Sequence, residues 1–376
     1  MTTSDAPPVA APFLPSLEPI RLIDEEGRRT ADSARGGFDL PGPDTLLALL
    51  RAMVVGRRFD AQAGALAKQG RLAVYPSSRG QEACQVGGVL ALAEQDWLFP
   101  TYRDCVSLVT RGVDPVEVLT LLRGDWHCGY DPKTHRCAPQ CTPLATNASH
   151  AVGLTYAARR KGSDTAALVL MGDGATSEGD AHEAYNFAAV WNAPVVFLVQ
   201  NNQWAISVPL HRQTAAPTLA HKAVGYGMRG YHVDGNDAAA VHAVVSRALA
   251  AARAGGGPAL IEARTYRMEP HTNSDAPQRY RDDAEVEHWR RRDPLARLEA
   301  LLRSEDRIDD ARMAEFGARA DRLAESVRER LARPPRRAAD ELFAHVYAEP
   351  TPQLRRQREA VRAARARADH VGNGGR

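Results

Sequence analysis

Two short polar clusters, Gly172-Asp173-Gly174 and Asn201-Asn202, each follow an apolar run, Ala166 to Met171 and Pro194 to Val199. One carboxylate (Asp173) and one amide oxygen (Asn202) are hard oxygen ligands. With phosphate oxygens and water they suit octahedral Mg²⁺, a cation that rarely receives an all-protein cage. Glycines without Cβ atoms let the backbone approach a bulky anion, and a helix N-terminus offers unpaired N–H groups to phosphate. The set therefore reads as a Mg²⁺-diphosphate site. A dinucleotide fingerprint fits poorly, because its third glycine would fall at position 177, which is Ser177. The lysine of a Walker A loop is also missing. Either cluster alone is more often an ordinary strand-to-helix turn or an amide-capped strand end; the two together, one helix and one strand apart, point to a ligand.

Such a site needs a particular scaffold. Two buried-type strands flanking one crossover helix form a βαβ unit of a parallel sheet. In such sheets the ligand sits outside the carboxyl ends of the strands, where both clusters lie. The fold class expected is α/β. Residues 1–43, rich in Pro, Ala and polar side chains, are expected to form an extended or partly ordered arm. From Pro43 a helical pattern begins, with Asp44 able to cap and Leu46, Leu47, Leu50, Met53, Val54 and Phe59 at helical spacing. Helices and short strands then alternate to about residue 265, a polar loop spans roughly 267–283, and the remainder is charged and helical. This divides the chain into an arm (1–43), an α/β domain (44–283) and a helical region (284–376). Seven arginines between Arg355 and Arg376, against Glu359 and Asp369, suggest an exposed basic helix fading into disorder.

Bulk properties exclude several classes. Forty-eight Lys+Arg against 46 Asp+Glu give a net charge of +2, which makes no electrostatic case for nucleic acid. No run of eighteen apolar residues exists, so no membrane span is expected. No basic n-region and apolar h-region opens the chain, so no secretory signal is expected. Five cysteines, an odd count, suggest reduced thiols and a cytoplasmic, bacterial setting. Three of them, Cys128, Cys137 and Cys141, lie with His127 and His135 in one short stretch. Thiolates and imidazoles at that density suggest zinc, but the spacing is not paired CxxC, and buried or incidental thiols are the expectation.

Gly-Asp-Gly followed by Asn-Asn at this spacing looks like the thiamine diphosphate signature. The wider text (RGQEA at 79–83, TYRD at 101–104, GDGATSEGDAHEAYNFAA, QNNQWAIS, VDGND and RTYRMEPHTNSD) resembles the alpha subunit of two-component 2-oxo acid dehydrogenases, from about Asp44 to Tyr347. The resemblance implies a parallel-sheet thiamine diphosphate-binding fold with helices on both faces. It implies Mg²⁺ held by Asp173, Asn202 and the carbonyl of Trp204, and the cofactor held by Tyr102, Arg103, Thr142, Leu144, Gly172, Asp173, Gly174, Ala175, Gln200, Asn202 and His271. Arg103, a side chain suited to bidentate phosphate contacts, would face the diphosphate. Gln200 stands where mammalian branched-chain relatives have arginine, so binding should lean more on Mg²⁺ and Arg103. Leu144 would support the bent cofactor and border the acyl pocket. Oxygens near Cys141, Pro143, Thr146 and Asn147 match, in part only, a potassium loop of branched-chain relatives, which makes K⁺ a further candidate ligand.

His271 is the expected catalytic residue. The implied reaction is decarboxylation of a 2-oxo acid and transfer of the acyl group to a lipoyl disulfide, and a histidine whose pKa lies near working pH suits the charge and the proton involved. Without the family match, a histidine in a polar loop would read as solvent-exposed. Thr272 and Ser274 occupy positions where mitochondrial relatives carry regulatory phosphoserines; phosphate there would block the site by charge and bulk. The glutamate that activates thiamine comes from a beta subunit in this family, so the resemblance implies an α₂β₂ heterotetramer, with a lipoyl-bearing acyltransferase core as the next partner. The segment PLATN-ASHAVG favours 3-methyl-2-oxobutanoate and its homologues over pyruvate, with acetoin a third reading. A non-catalytic alpha-like subunit ranks far below, because Asp173, Asn202 and His271 are all present.

Overall fold

A computed structural model describes residues 13–332, 340–344 and 346–373. Residues 1–12 of the expected arm and the terminal Arg376 lie outside the described residues. At the centre is a parallel five-stranded sheet. Its strands are β1 (Trp97–Phe99), β2 (Ala167–Gly172), β3 (Val195–Asn201), β6 (Arg229–Asp234) and β7 (Ala259–Arg264). Their order is β1-β2-β3-β7-β6, so β7 is inserted between β3 and β6. A separate antiparallel hairpin joins β4 (Trp204–Ala205) to β5 (Val208–Pro209).

The apolar runs explain the strands. Every residue of β3 is buried, as a strand covered on both faces requires. On one face Val169, Met171, Phe197 and Val199 pack against Ala148, Val152, Ala184 and Tyr185 of the helices Thr146–Arg160 and Gly179–Val190. On the other, Leu168 and Leu198 abut Gly88 of the helix Glu82–Leu90, beside Ala238–Arg253. Helices on both faces of a parallel sheet match the expected fold class. Because all five strands run the same way, their carboxyl ends share one edge, and Gly172 pairs in register with Gln200.

The segment before the first long helix, Pro43–Lys68, lies along that sheet. Ile20 bridges Val233 in parallel, its N–H donating to the His232 carbonyl at 2.8 Å, while Asp234 N–H donates to Ile20 O at 3.0 Å. Asp237 accepts the Leu22 and Ile23 amides, each at 2.7 Å. Arg297 donates to Asp234 and to the Ile23 carbonyl. Burial pushes the Asp234 carboxyl up, but the Arg297 and Arg21 charges outweigh it and hold it below the ordinary range. One compact unit runs to Arg328 and a second covers Glu329–Arg376. The second carries the helix Pro352–Asn373, on which Arg355, Arg356, Arg362 and Arg367 are exposed and Arg362 pairs with Asp340.

Among the described residues, no helix is long and apolar enough to cross a membrane, and no group of three His, Cys, Asp or Glu could hold a metal. The zinc reading of residues 127–141 thus fails on geometry. The Cys128, Cys137 and Cys141 thiols instead donate to the carbonyls of Tyr130, His135 and Pro143.

Candidate active site

A cavity of about 480 Å³ opens at the carboxyl edge of the sheet. Four of the five strands, all but β6, deliver residues to it at or beyond their carboxyl ends. Thr101, Tyr102 and Arg103 follow β1; Asp173, Gly174 and Ala175 follow β2; Gln200 and Asn202 end β3; His271 and Thr272 lie beyond β7. Thr142 and Leu144 complete one wall, so all eleven expected cofactor residues, and Trp204, line the same space.

At the polar end Asp173 is 1% exposed. Burial pushes its carboxyl up, opposed by a hydrogen bond from Gln213 and by the charge of Arg267. Gln213 Nε2 donates to Asp173 Oδ2 at 2.6 Å. Asn202 Nδ2 donates to Gln81 Oε1 at 3.1 Å, which fixes the amide so that Oδ1 is the oxygen left to accept, and Oδ1 takes the Trp204 amide at 3.2 Å. The Trp204 carbonyl accepts from Arg267 at 3.1 Å. The hairpin lies directly against the turn after β2: a Cβ at Gly174 would sit 2.7 Å from the Ala205 Cβ, so only glycine lets the two strand ends close.

Three buried amide atoms here lack partners: Gln81 Nε2, Gln200 Oε1 and Gln213 Oε1. Buried polar atoms are nearly always paired, and a ligand with both donors and acceptors is what would satisfy this set. Gln200 spends its Nε2 on the buried Asp104 at 2.7 Å. That bond uses one of the two amide hydrogens, and Oε1 is left buried without a partner.

His271 departs from the expectation. Burial, then the positive charges of Arg103 and Arg267, lower its pKa to about 4, with Asp275 pulling weakly the other way. Arg103 Nη2 lies 3.0 Å from Nδ1 and 3.0 Å from the His271 carbonyl. A guanidinium has no acceptor, so Nδ1 must accept and Nε2 carries the proton. His271 is thus a neutral imidazole at pH 7 that donates through Nε2. Asp275 anchors its loop by accepting the His271 N–H at 2.7 Å and the Tyr280 hydroxyl. Tyr102 packs edge-on against the ring, centroids 6.1 Å apart.

Arg103 is itself held from behind. Its Nη1 donates to Ser77 O at 3.0 Å, and its carbonyl accepts Ser78 Oγ at 2.7 Å. The buried Asp60 accepts from Tyr75, Ser77 and Ser78 and so sets that turn. In this arrangement both Arg103 terminal nitrogens serve the histidine and the Ser77 turn. The four residues of the expected potassium loop are engaged within the protein: Cys141 bonds Pro143 O, Thr146 bonds Asp180, and Asn147 donates to the Phe99 and Leu170 carbonyls.

Gln81, Gln213, Arg267 and Asp275 were not singled out from the sequence. Gln81 sits inside RGQEA and Arg267 inside RTYRMEP, so their motifs were visible without their roles. Nothing local marks Gln213.

Residues 50–336 match the family model described as dehydrogenase E1 component. The chain is 48% identical over 353 residues to the 3-methyl-2-oxobutanoate dehydrogenase subunit alpha of Mycobacterium tuberculosis (strain ATCC 25618 / H37Rv), covering 94% of this chain and 96% of that one. It is 36% identical over 335 residues to the pyruvate dehydrogenase E1 component subunit alpha of Acholeplasma laidlawii, covering 84% and 92%. To the subunit of that name from Staphylococcus aureus (strain N315) it is 37% identical over 288 residues, 76% and 77% of the two chains. With a family model matched over residues 50–336 and a relative 48% identical over 94% of its length, this chain belongs to the dehydrogenase E1 component family.

Proposed function

We propose that this chain is the alpha subunit of a thiamine diphosphate-dependent 3-methyl-2-oxobutanoate dehydrogenase, acting with a beta subunit in an α₂β₂ assembly and passing the acyl group to the lipoyl domain of an acyltransferase core. The observation that carries the reading is the cavity in which Asp173, Asn202 and His271 meet. The higher identity, over more of the chain, to the mycobacterial subunit than to the two pyruvate subunits favours the branched substrate. The orphaned amides and the 480 Å³ volume fit the cofactor with its cation. Asp173, the Asn202 amide oxygen and the Trp204 carbonyl would hold Mg²⁺, and Gly174 and Ala175 would face the diphosphate. When bound, thiamine diphosphate supplies the nucleophilic carbon and the electron sink that decarboxylation of a 2-oxo acid requires.

The chain's own residues then have separable tasks. His271 lines the cavity with Nδ1 taken by Arg103, so Nε2–H is its donor for an oxygen that gains charge. Arg103 keeps the imidazole neutral and oriented. Leu144, Leu122, Val74 and Ile206 give the wall an apolar portion suited to an aliphatic chain. The test is co-expression with the beta subunit and measurement of artificial-acceptor reduction with Mg²⁺ and thiamine diphosphate. A higher kcat/KM for 3-methyl-2-oxobutanoate than for pyruvate supports the reading; the reverse order, or turnover of neither acid by a complex that binds the cofactor, overturns it.

A further inference from the structure

Gln213 touches the carboxylate of Asp173 yet belongs to neither a strand end nor a sequence motif. It follows the β4–β5 hairpin, which begins at Asn202 and Trp204, so one short segment carries two candidate cation ligands and a partner for the third. Its Nε2 donates to Asp173 Oδ2 at 2.6 Å and to Val208 O at 3.0 Å. Its backbone is held too: its N–H donates to Leu210 O at 2.9 Å, and its carbonyl accepts Ser177 Oγ at 3.3 Å, tying it back to the turn after β2. Its Oε1 is buried, has no partner, and lies 4.0 Å from where a Cβ at Gly174 would be.

Taking both hydrogens of a short amide contact to one carboxylate oxygen and one carbonyl has a consequence for cations. Oδ2 already accepts a charge-assisted bond and would be the poorer ligand, so Oδ1 would be the oxygen to meet a metal. A carboxylate restricted to one oxygen suits Mg²⁺, whose octahedron takes single oxygens and retains water. Ca²⁺ accepts bidentate carboxylates and higher coordination numbers. The orphaned Oε1 offers an acceptor to a water of that octahedron, the kind of outer contact that orients a ligand set.

We infer that Gln213 is a positioning residue that holds Asp173 monodentate and so sets the preference of this site for Mg²⁺ over Ca²⁺. The inference rests on the thiamine diphosphate reading above. The test uses the complex with its beta subunit and follows cofactor binding by tryptophan fluorescence while Mg²⁺ or Ca²⁺ is titrated, independently of turnover. Gln213→Met keeps the volume and removes both polar atoms; Gln213→Glu retains an acceptor and loses the donor. Both variants should lower the Mg²⁺:Ca²⁺ affinity ratio by about 10-fold or more, the scale of an outer-shell contact, with Ca²⁺ affinity unchanged or improved. Ser177→Ala, which loosens the same segment without touching Asp173, should leave the ratio alone. An unchanged ratio in both Gln213 variants, or an equal loss for both cations, overturns the inference while leaving the function intact. Failure of the unaltered complex to bind the cofactor with either cation would instead remove the function reading.

Discussion

Replacing Arg103 by methionine should move the acid limb of the activity profile. The pKa of His271 falls from an ordinary 6.5 to about 4, with burial the largest cause, Arg103 second and Arg267 third. A bare Coulomb term between unit charges about 4 Å apart at an effective dielectric of 20 is about 4 kcal/mol, more than the whole displacement, so it is only a ceiling. Since burial leads and Arg267 takes a share, Arg103 accounts for about one pKa unit, within the range expected of a neighbouring like charge. Losing the bond to Nδ1 acts in the same direction, because that bond favours the neutral ring. The working form is neutral, so activity is retained above the folded pKa and lost below it. In the unaltered enzyme kcat/KM should stay flat from neutral pH down to about 5, and in Arg103→Met the fall should begin about one unit higher. Stability carries the same sign: a histidine whose folded pKa is depressed contributes stability present above 6.5 and lost as pH falls toward about 4. The assay is artificial-acceptor reduction across pH, with cofactor saturating at each point. An acid limb near 6.5 in the unaltered enzyme, or an unmoved limb in Arg103→Met, refutes the neutral-histidine account.

Other outcomes follow from the same geometry. Asp173→Ala should weaken Mg²⁺-dependent cofactor binding at least 100-fold, read by fluorescence titration; retained affinity would sink the site as drawn. Gly174→Ala places a Cβ 2.7 Å from that of Ala205; it should cost about 1–3 kcal/mol of stability by overpacking, seen as a lower Tm, and weaken the cofactor in parallel. Gly80, at φ +93° with the Tyr266 carbonyl 2.2 Å from a built Cβ, should tolerate alanine even less well. Asp234→Asn removes the salt-bridge partner of the buried Arg297, leaving it the more distant charges of Asp237 and Glu25, and should destabilise by about 3 kcal/mol, as a shifted denaturation midpoint. Because Asp234 is held below 3.8, its contribution is present above that pH and lost as pH falls through the folded value.

Much of this was legible in the chain because parallel sheets write themselves as apolar runs with their function at the run ends. Ala166 to Met171 and Pro194 to Val199 located β2 and β3 almost to the residue, and the side chains after them are where the cavity lies. What the runs cannot encode is the partner across the edge. His271 was found by motif, but its neutrality depends on Arg103, a contact 168 residues away in the chain. Gln213 was invisible because a glutamine in a polar loop carries no period and no charge. The Cys/His stretch shows the converse: residues close in sequence raised a shared ligand as the lesser reading, while each thiol turned to a carbonyl within two residues.

The strand order has a consequence for synthesis. β3 is buried along its whole length, yet one of its two hydrogen-bonding edges is closed by β7, and β7 begins only at Ala259. On a ribosome adding about 5–20 residues per second, Val195–Asn201 waits several seconds with an apolar, unpaired edge, the configuration most open to pairing with another chain. β6, made in the interval, cannot relieve it, since β6 pairs with β7 and not with β3. The half of the cavity built from Asp173 and Asn202 therefore emerges before the strand that secures it, and His271 only after. Nascent chains that stall between residues 201 and 259 should be the ones that aggregate or recruit a chaperone.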